Sequence, residues 1–187
     1  MQISRNVRWL AAAVALTGLA IGAPAVSLAS SDSPSTTPAS FIRCETGQLT
    51  DWVGAPGSGA AGSVYYQLEI SNTSAQGCSL YGFPGVSAVQ GHKQLGSAAG
   101  RTHSHPAKAV FLRPGATTHV ILQVADVGDF AAGVCKPATA TGLKVYAPGA
   151  YAAEFIPFSF RACSRRGPVY LHVSVDLAGT GIPGFSS

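Results

Sequence analysis

Four cysteines, a pair of histidines one residue apart and a tryptophan beside a glycine-rich loop are the residues of this chain with chemistry to offer. Cys44, Cys78, Cys135 and Cys163 form none of the close C-x-x-C pairs that zinc sites use. An even number of cysteines in an oxidising compartment pairs into disulfides. Three pairings are possible, and the sequential one, Cys44 with Cys78 and Cys135 with Cys163, is expected. Each link then closes a loop of about 30 residues, worth roughly 3–4 kcal/mol in the chain-entropy account. The thiols are then not free as nucleophiles, and no G-x-S-x-G elbow supplies a serine.

His103-Ser104-His105 would aim both imidazoles to one side if it lay on a strand, and His92 is near in sequence. Such a set suits Cu(II) or Zn(II). The flanking residues read as an exposed loop, and no Glu-x-x-His pattern adds a firm further ligand, so neither metal nor cofactor is expected. His172 and Asp176 share one face of a strand but stand about 13 Å apart along it, beyond hydrogen-bonding reach. Of the eight acids, Glu45, Asp51, Glu69 and Glu154 are the carboxylates with a claim to glycosidase chemistry, and nothing sets two of them across a cleft. Trp52 precedes the glycine-rich loop Gly54 to Gly62, and Tyr65 follows it on an outward face. Aromatic rings beside a mobile loop suit stacking on sugar rings, so Trp52 and Tyr65 are the candidate ligand-binding pair.

The elements that must position these residues have an apolar period of two. Val64, Tyr66, Leu68 and Ile70 alternate with Tyr65, Gln67 and Glu69, and Val120, Leu122 and Val124 alternate with Ile121 and Gln123. From Val169 to Leu177 the alternation is unbroken, with Tyr170, His172, Ser174 and Asp176 outward. These are half-buried antiparallel strands with one wet face. Weaker strands are expected at 43–52, 86–90, 108–112, 143–147 and 152–156, and a short helix within 124–134. Pro-Gly turns at Phe83-Pro84-Gly85, Arg113-Pro114-Gly115 and Ala147-Pro148-Gly149 punctuate them. The fold expected is an all-β, disulfide-stapled, immunoglobulin-like antiparallel sandwich.

Residues 1–29 read as a signal peptide. Arg5 and Arg8 precede the apolar run Trp9 to Ile21, and small residues lead to a cut after Ala29. That run, about 13 residues, is short of the ~20 that span a bilayer, so no membrane span is expected after cleavage. Residues 30–40, SSDSPSTTPAS, read as a disordered leader, and 41–187 as a single domain. The formal charge is +4. Removing Arg5 and Arg8 leaves ten basic residues against eight acidic, with no basic stripe, which argues against nucleic acid.

The ordered series Cys44, Gly59 to Tyr65, Leu68, Asn72, Cys78 to Ser87, Gln94 to Gly96, Arg101, Leu112 to Gly115, Cys135 to Pro137, Gly142 to Tyr146 and Cys163 resembles the family called domain of unknown function 4232. That family occurs in exported actinobacterial proteins and lipoproteins, and the likeness runs from about Arg43 to Leu177. It implies a β-sandwich with a cysteine pair at each end of the motif series and no assigned reaction. No cysteine follows the cleavage site, so this chain resembles a freely secreted member, extracellular or associated with the cell wall. The expected function is a non-enzymatic binding or structural module at the cell envelope, with cell-wall glycan or an envelope protein as partner. The rival is a secreted hydrolase with a loop-built site.

Overall fold

Strict alternation of burial along one strand organises the molecule. In the computed structural model, which describes residues 42–54 and 57–181, the stretch Thr117–Ala125 buries Thr118, Val120, Leu122 and Val124 and leaves the residues between them half-buried. The expected signal peptide (1–29) and leader (30–40) lie outside the described residues.

The strands among the described residues, in chain order, are β1 (Leu49–Val53), β2 (Ser58–Ala60), β3 (Ser63–Asn72), β4 (Cys78–Tyr81), β5 (Gly85–Gln90), β6 (Lys93–Leu95), β7 (Gly100–Arg101), β8 (Ala109–Leu112), β9 (Thr117–Ala125), β10 (Pro137–Tyr146), β11 (Glu154–Cys163), β12 (Leu171–Val173) and β13 (Leu177–Ala178). A seven-stranded sheet runs β1-β3-β9-β12-β7, with β13 also on β9 and β2 on β3. A four-stranded sheet runs β11-β10-β5-β6, and β4 pairs with β8 in a small ribbon. The chain is therefore all-β with sandwich-like sheets. The pairing is antiparallel except between β12 and β7, which run parallel.

Apolar side chains from the facing sheets fill the interior in two clusters. The larger holds Leu68, Leu122, Leu143, Tyr170 and the linked Cys135 and Cys163. The smaller holds Leu49, Ile70, Leu80, Leu112 and the linked Cys44 and Cys78. The disulfides are thus the sequential pairs, each buried inside one cluster. Cys78 ties the first residue of β4 to the chain just ahead of β1 at a corner of the sandwich.

The smooth alternation from Val169 to Leu177 hides a bulge. Val173 pairs with Leu122 and Leu177 with His119, so three residues, 174–176, face two on β9. One extra residue reverses the facing of everything after it. Ser174 holds the bulge by accepting a hydrogen bond from the Ile121 N–H at 2.8 Å. Asp176 consequently turns inward instead of outward. Ser174 and Tyr170 are also buried; Tyr170 lies ahead of β12 and its hydroxyl donates to the Leu95 carbonyl.

Two further expectations change. The loop 54–62 is partly strand: β2 folds back on β3 through Ala61 and Gly62, with φ of 43° and 74°, as two-residue hairpin turns require. Residues 55 and 56 of that loop lie outside the described residues. In place of one helix within 124–134 there is a 3-10 turn at Val127–Asp129, capped by the Asp126 carboxylate, and a single helical turn at Ala132–Cys135.

Candidate functional site

Trp52 stands opposite Glu69, and Tyr65 opposite Gln123, so both aromatics lie on the outer face of the seven-stranded sheet. Four residues of β3 separate their rows, about 13 Å. Both are half-buried. Between them the chain beyond β13 lies on the sheet: a Cβ at Gly181 would meet Gln67 at 2.5 Å, and the Gly181 N–H donates to Glu69 Oε1 at 3.0 Å. That cover explains why Glu69, expected on a wet face, is fully buried. Burial raises its pKa, with the Gly181 N–H and the nearby His119 drawing it back. Trp52 and Tyr65 share a face, and neither lines any of the cavities described below.

The paired histidines diverge. The segment after β7 is not a strand, so the one-face argument for His103 and His105 does not apply. His103 meets Phe83 edge-on at 4.9 Å, and Arg101 sits 5.4 Å from the centre of the same ring. His105 instead lines a cavity of about 350 Å3 with Lys108 and Asp176. No group of three metal-ligating side chains comes together among the described residues. His172 and Asp176 are set on opposite faces by the bulge.

Two carboxyls that the sequence set apart are both interior. Asp51 and Asp176 are 8% and 4% exposed. Desolvation, reinforced by Glu154, raises Asp51 to about 7. Desolvation, reinforced by Asp51 and partly offset by the residue's own backbone N–H, raises Asp176 to about 7. Neither Asp51 Oδ1 nor either Asp176 oxygen has a hydrogen-bond partner among the described residues.

A face that offers a ligand an exposed aromatic ring lies elsewhere, on the outside of the four-stranded sheet. Phe155 is 51% exposed because Ile156 beside it points into the core. Its ring lies over Gly142, where a Cβ would come within 2.5 Å of Cε2. Only glycine leaves room for an aromatic ring so close to the backbone. One side of the ring rests on the sheet. Lys144 stands directly across from Phe155 in register, and its Nζ lies 5.2 Å from the centre of the Tyr146 ring. Phe155, Lys144 and His92 line a cavity of about 400 Å3 that Glu154 also borders, although its pairing with buried Val145 sends its carboxylate to the inner face, toward Asp51.

An exposed ring flanked by an ammonium and an imidazole can hold a flat polyhydroxylated ligand. The ring takes the C–H face and the polar groups take hydroxyls. The sequence held one signal for it: alternation that sends Ile156 inward sends Phe155 outward. A roomier cleft of about 520 Å3 lies between the β2–β3 hairpin and Phe160 and Arg161 of β11. Its walls are largely apolar residues and hairpin backbone, and none of the carboxyls with raised pKa lines it.

Comparison with known proteins gives one family. The family described as Domain of unknown function (DUF4232) matches residues 44–176. No curated protein and no solved structure matches the chain.

Proposed function

Since the chain belongs to the family described as Domain of unknown function (DUF4232), whose description assigns no reaction, we propose that it is a secreted, non-enzymatic binding module of an actinobacterial cell envelope. Cell-wall glycan is the proposed ligand, and the Phe155 ledge is its platform. The observation that carries this reading is the Phe155 ring, half-exposed over Gly142 and flanked by Lys144 and His92. Two buried disulfides support an oxidising compartment outside the cytosol. No helix among the described residues is long and apolar enough to cross a membrane.

The test is co-sedimentation of the mature chain with purified peptidoglycan and with whole envelope fragments. Stacking on one ring contributes about 1 kcal/mol, and flanking hydrogen bonds add to it. Phe155→Ala should therefore weaken retention about fivefold, with Lys144→Ala weakening it less. Equal retention of wild type and Phe155→Ala overturns the ledge. The rival reading, a hydrolase, draws on Asp176, a carboxyl raised to about 7 in a cavity with His105 and Lys108. Release of new reducing ends from the glycan by wild type, lost in Asp176→Asn, favours that reading instead.

A further inference from the structure

The interior is divided, and the division is polar. On the inner face of β1 the residues are Leu49, Asp51 and Val53. Leu49 packs in the smaller cluster and Val53 against the larger. Asp51, opposite Ile70, therefore sits in the seam between them. Asp176, from the chain after β12, comes within electrostatic reach of Asp51. The bulge turns it inward, its N–H bonds to the Gly82 carbonyl at 3.3 Å, and it lines a cavity with Val110 of the smaller cluster. Both carboxyls are more than nine-tenths buried, and three of their four oxygens lack any hydrogen-bond partner among the described residues.

The charged groups around them do not offset two negative charges. Glu154 faces Asp51 and adds a third. His105 and Lys108 border the cavity on Asp176, but both are exposed to solvent. A buried carboxylate without donors or a counter-charge is strongly disfavoured, and two within reach of one another more so.

We propose that Asp51 and Asp176 form a proton-binding site in the seam, each carboxyl holding its proton in weak acid, and that loss of these protons as pH rises through neutrality loosens the docking of the two clusters. The site makes the fold a pH-sensitive device, tight in acid and looser in alkali, and it stands apart from the Phe155 ledge.

The sign follows from the direction of the shifts. Both groups are raised to about 7 in the folded chain, from an ordinary value of 3.8. Stability from the retained protons is full below about pH 4, declines as pH rises toward 7 and levels off above it. Thermal melting of the mature chain from pH 5 to pH 9 should show wild type losing about 5 °C or more between pH 5 and pH 8. Asp51→Asn and Asp176→Asn should each flatten that slope, and the double substitution should add little to either, because one removed charge already relieves the other. A flat wild-type profile, or single variants that keep the full slope, overturns the proposal. Should the variants not fold, carboxyl 13C titration of wild type decides. Two carboxyls titrating above pH 6 support the site, and a full set titrating near 4 overturns it.

Discussion

The two hydrophobic clusters carry the same kind of staple at very different leverage. The larger has eighteen buried residues drawn from both large sheets, including the central strands β9 and β10. The smaller has eight, built on the edge strand β1, one end of β3 and the β4–β8 ribbon. Each encloses one disulfide. A two-stranded ribbon is marginal without support, so the Cys44–Cys78 link holds together a region that packing alone secures weakly. The Cys135–Cys163 link lies in a region that packing already secures. A crosslink of given entropy matters most where the fewest side chains cooperate with it.

Removing each staple gives the largest effect and the sharpest contrast. The links span 34 and 28 residues, so the chain-entropy account assigns both about 4 kcal/mol. Global stability should fall by similar amounts in Cys44→Ala/Cys78→Ala and in Cys135→Ala/Cys163→Ala. Hydrogen exchange should separate them. Loss of the first link should strip protection from β4 and β8 while β9 and β10 keep theirs. Loss of the second should lower protection evenly. Matching exchange patterns in the two variants would break the comparison.

Asn72 sharpens it one step down in size. Fully buried at the end of β3, its Nδ2 donates to the Gln76 and Leu112 carbonyls at 2.7 and 3.0 Å, and its Oδ1 accepts from the Ser74 N–H and hydroxyl. It organises the turn that leads into Cys78 and fastens that turn to β8. Asn72→Ala leaves the buried Leu112 carbonyl and the half-buried Ser74 groups without these partners and should cost about 2–3 kcal/mol. Measured by denaturant unfolding, the loss should exceed that of any single hydrogen-bond deletion in the larger cluster.

The contrast also tracks what could be read from the chain. Local signals were faithful: the alternation at Val120 to Val124 gave β9, and Gly115 and Gly149 take the positive φ that their Pro-Gly turns require. Gly85 does not, because it opens β5 instead of serving a turn, and Gly82 takes the positive φ there. What failed was non-local. The bulge at 174–176 leaves no mark on a run that alternates smoothly; it exists only relative to β9, and it alone decides that Asp176 is buried. Glu69 is buried by a segment more than a hundred residues away. The Phe155 ledge needs Gly142 beneath the ring, a cross-strand neighbour set by a register shift between Ala140 and Gly142. Tyr65 was legible as outward-facing, but the facing of Trp52 and the cover over Gln67 and Glu69 between the two were not.

The smallest expected effect belongs to Tyr170, in the larger cluster. Its side chain is fully buried and its hydroxyl donates to the Leu95 carbonyl at 3.2 Å, joining the segment before β12 to β6. Tyr170→Phe keeps the ring and removes one neutral hydrogen bond, which costs about 1 kcal/mol and lowers the melting temperature by a few degrees. The site belongs to a cluster of eighteen buried residues, so hydrogen exchange should stay cooperative across the cluster, unlike the local opening expected around Asn72. The hydroxyl also supplies a second readout. Burial raises its pKa from 10.0 to about 12, so the folded chain retains this proton where the unfolded chain gives it up. The stability so held is full below about pH 10 and lost as pH rises toward 12. Wild type should therefore lose its advantage over Tyr170→Phe between pH 10 and pH 12, well above the window in which the Asp51–Asp176 seam loosens. An advantage that instead disappears between pH 5 and pH 8 would mean that the larger cluster feels the seam directly, and that the two clusters unfold as one.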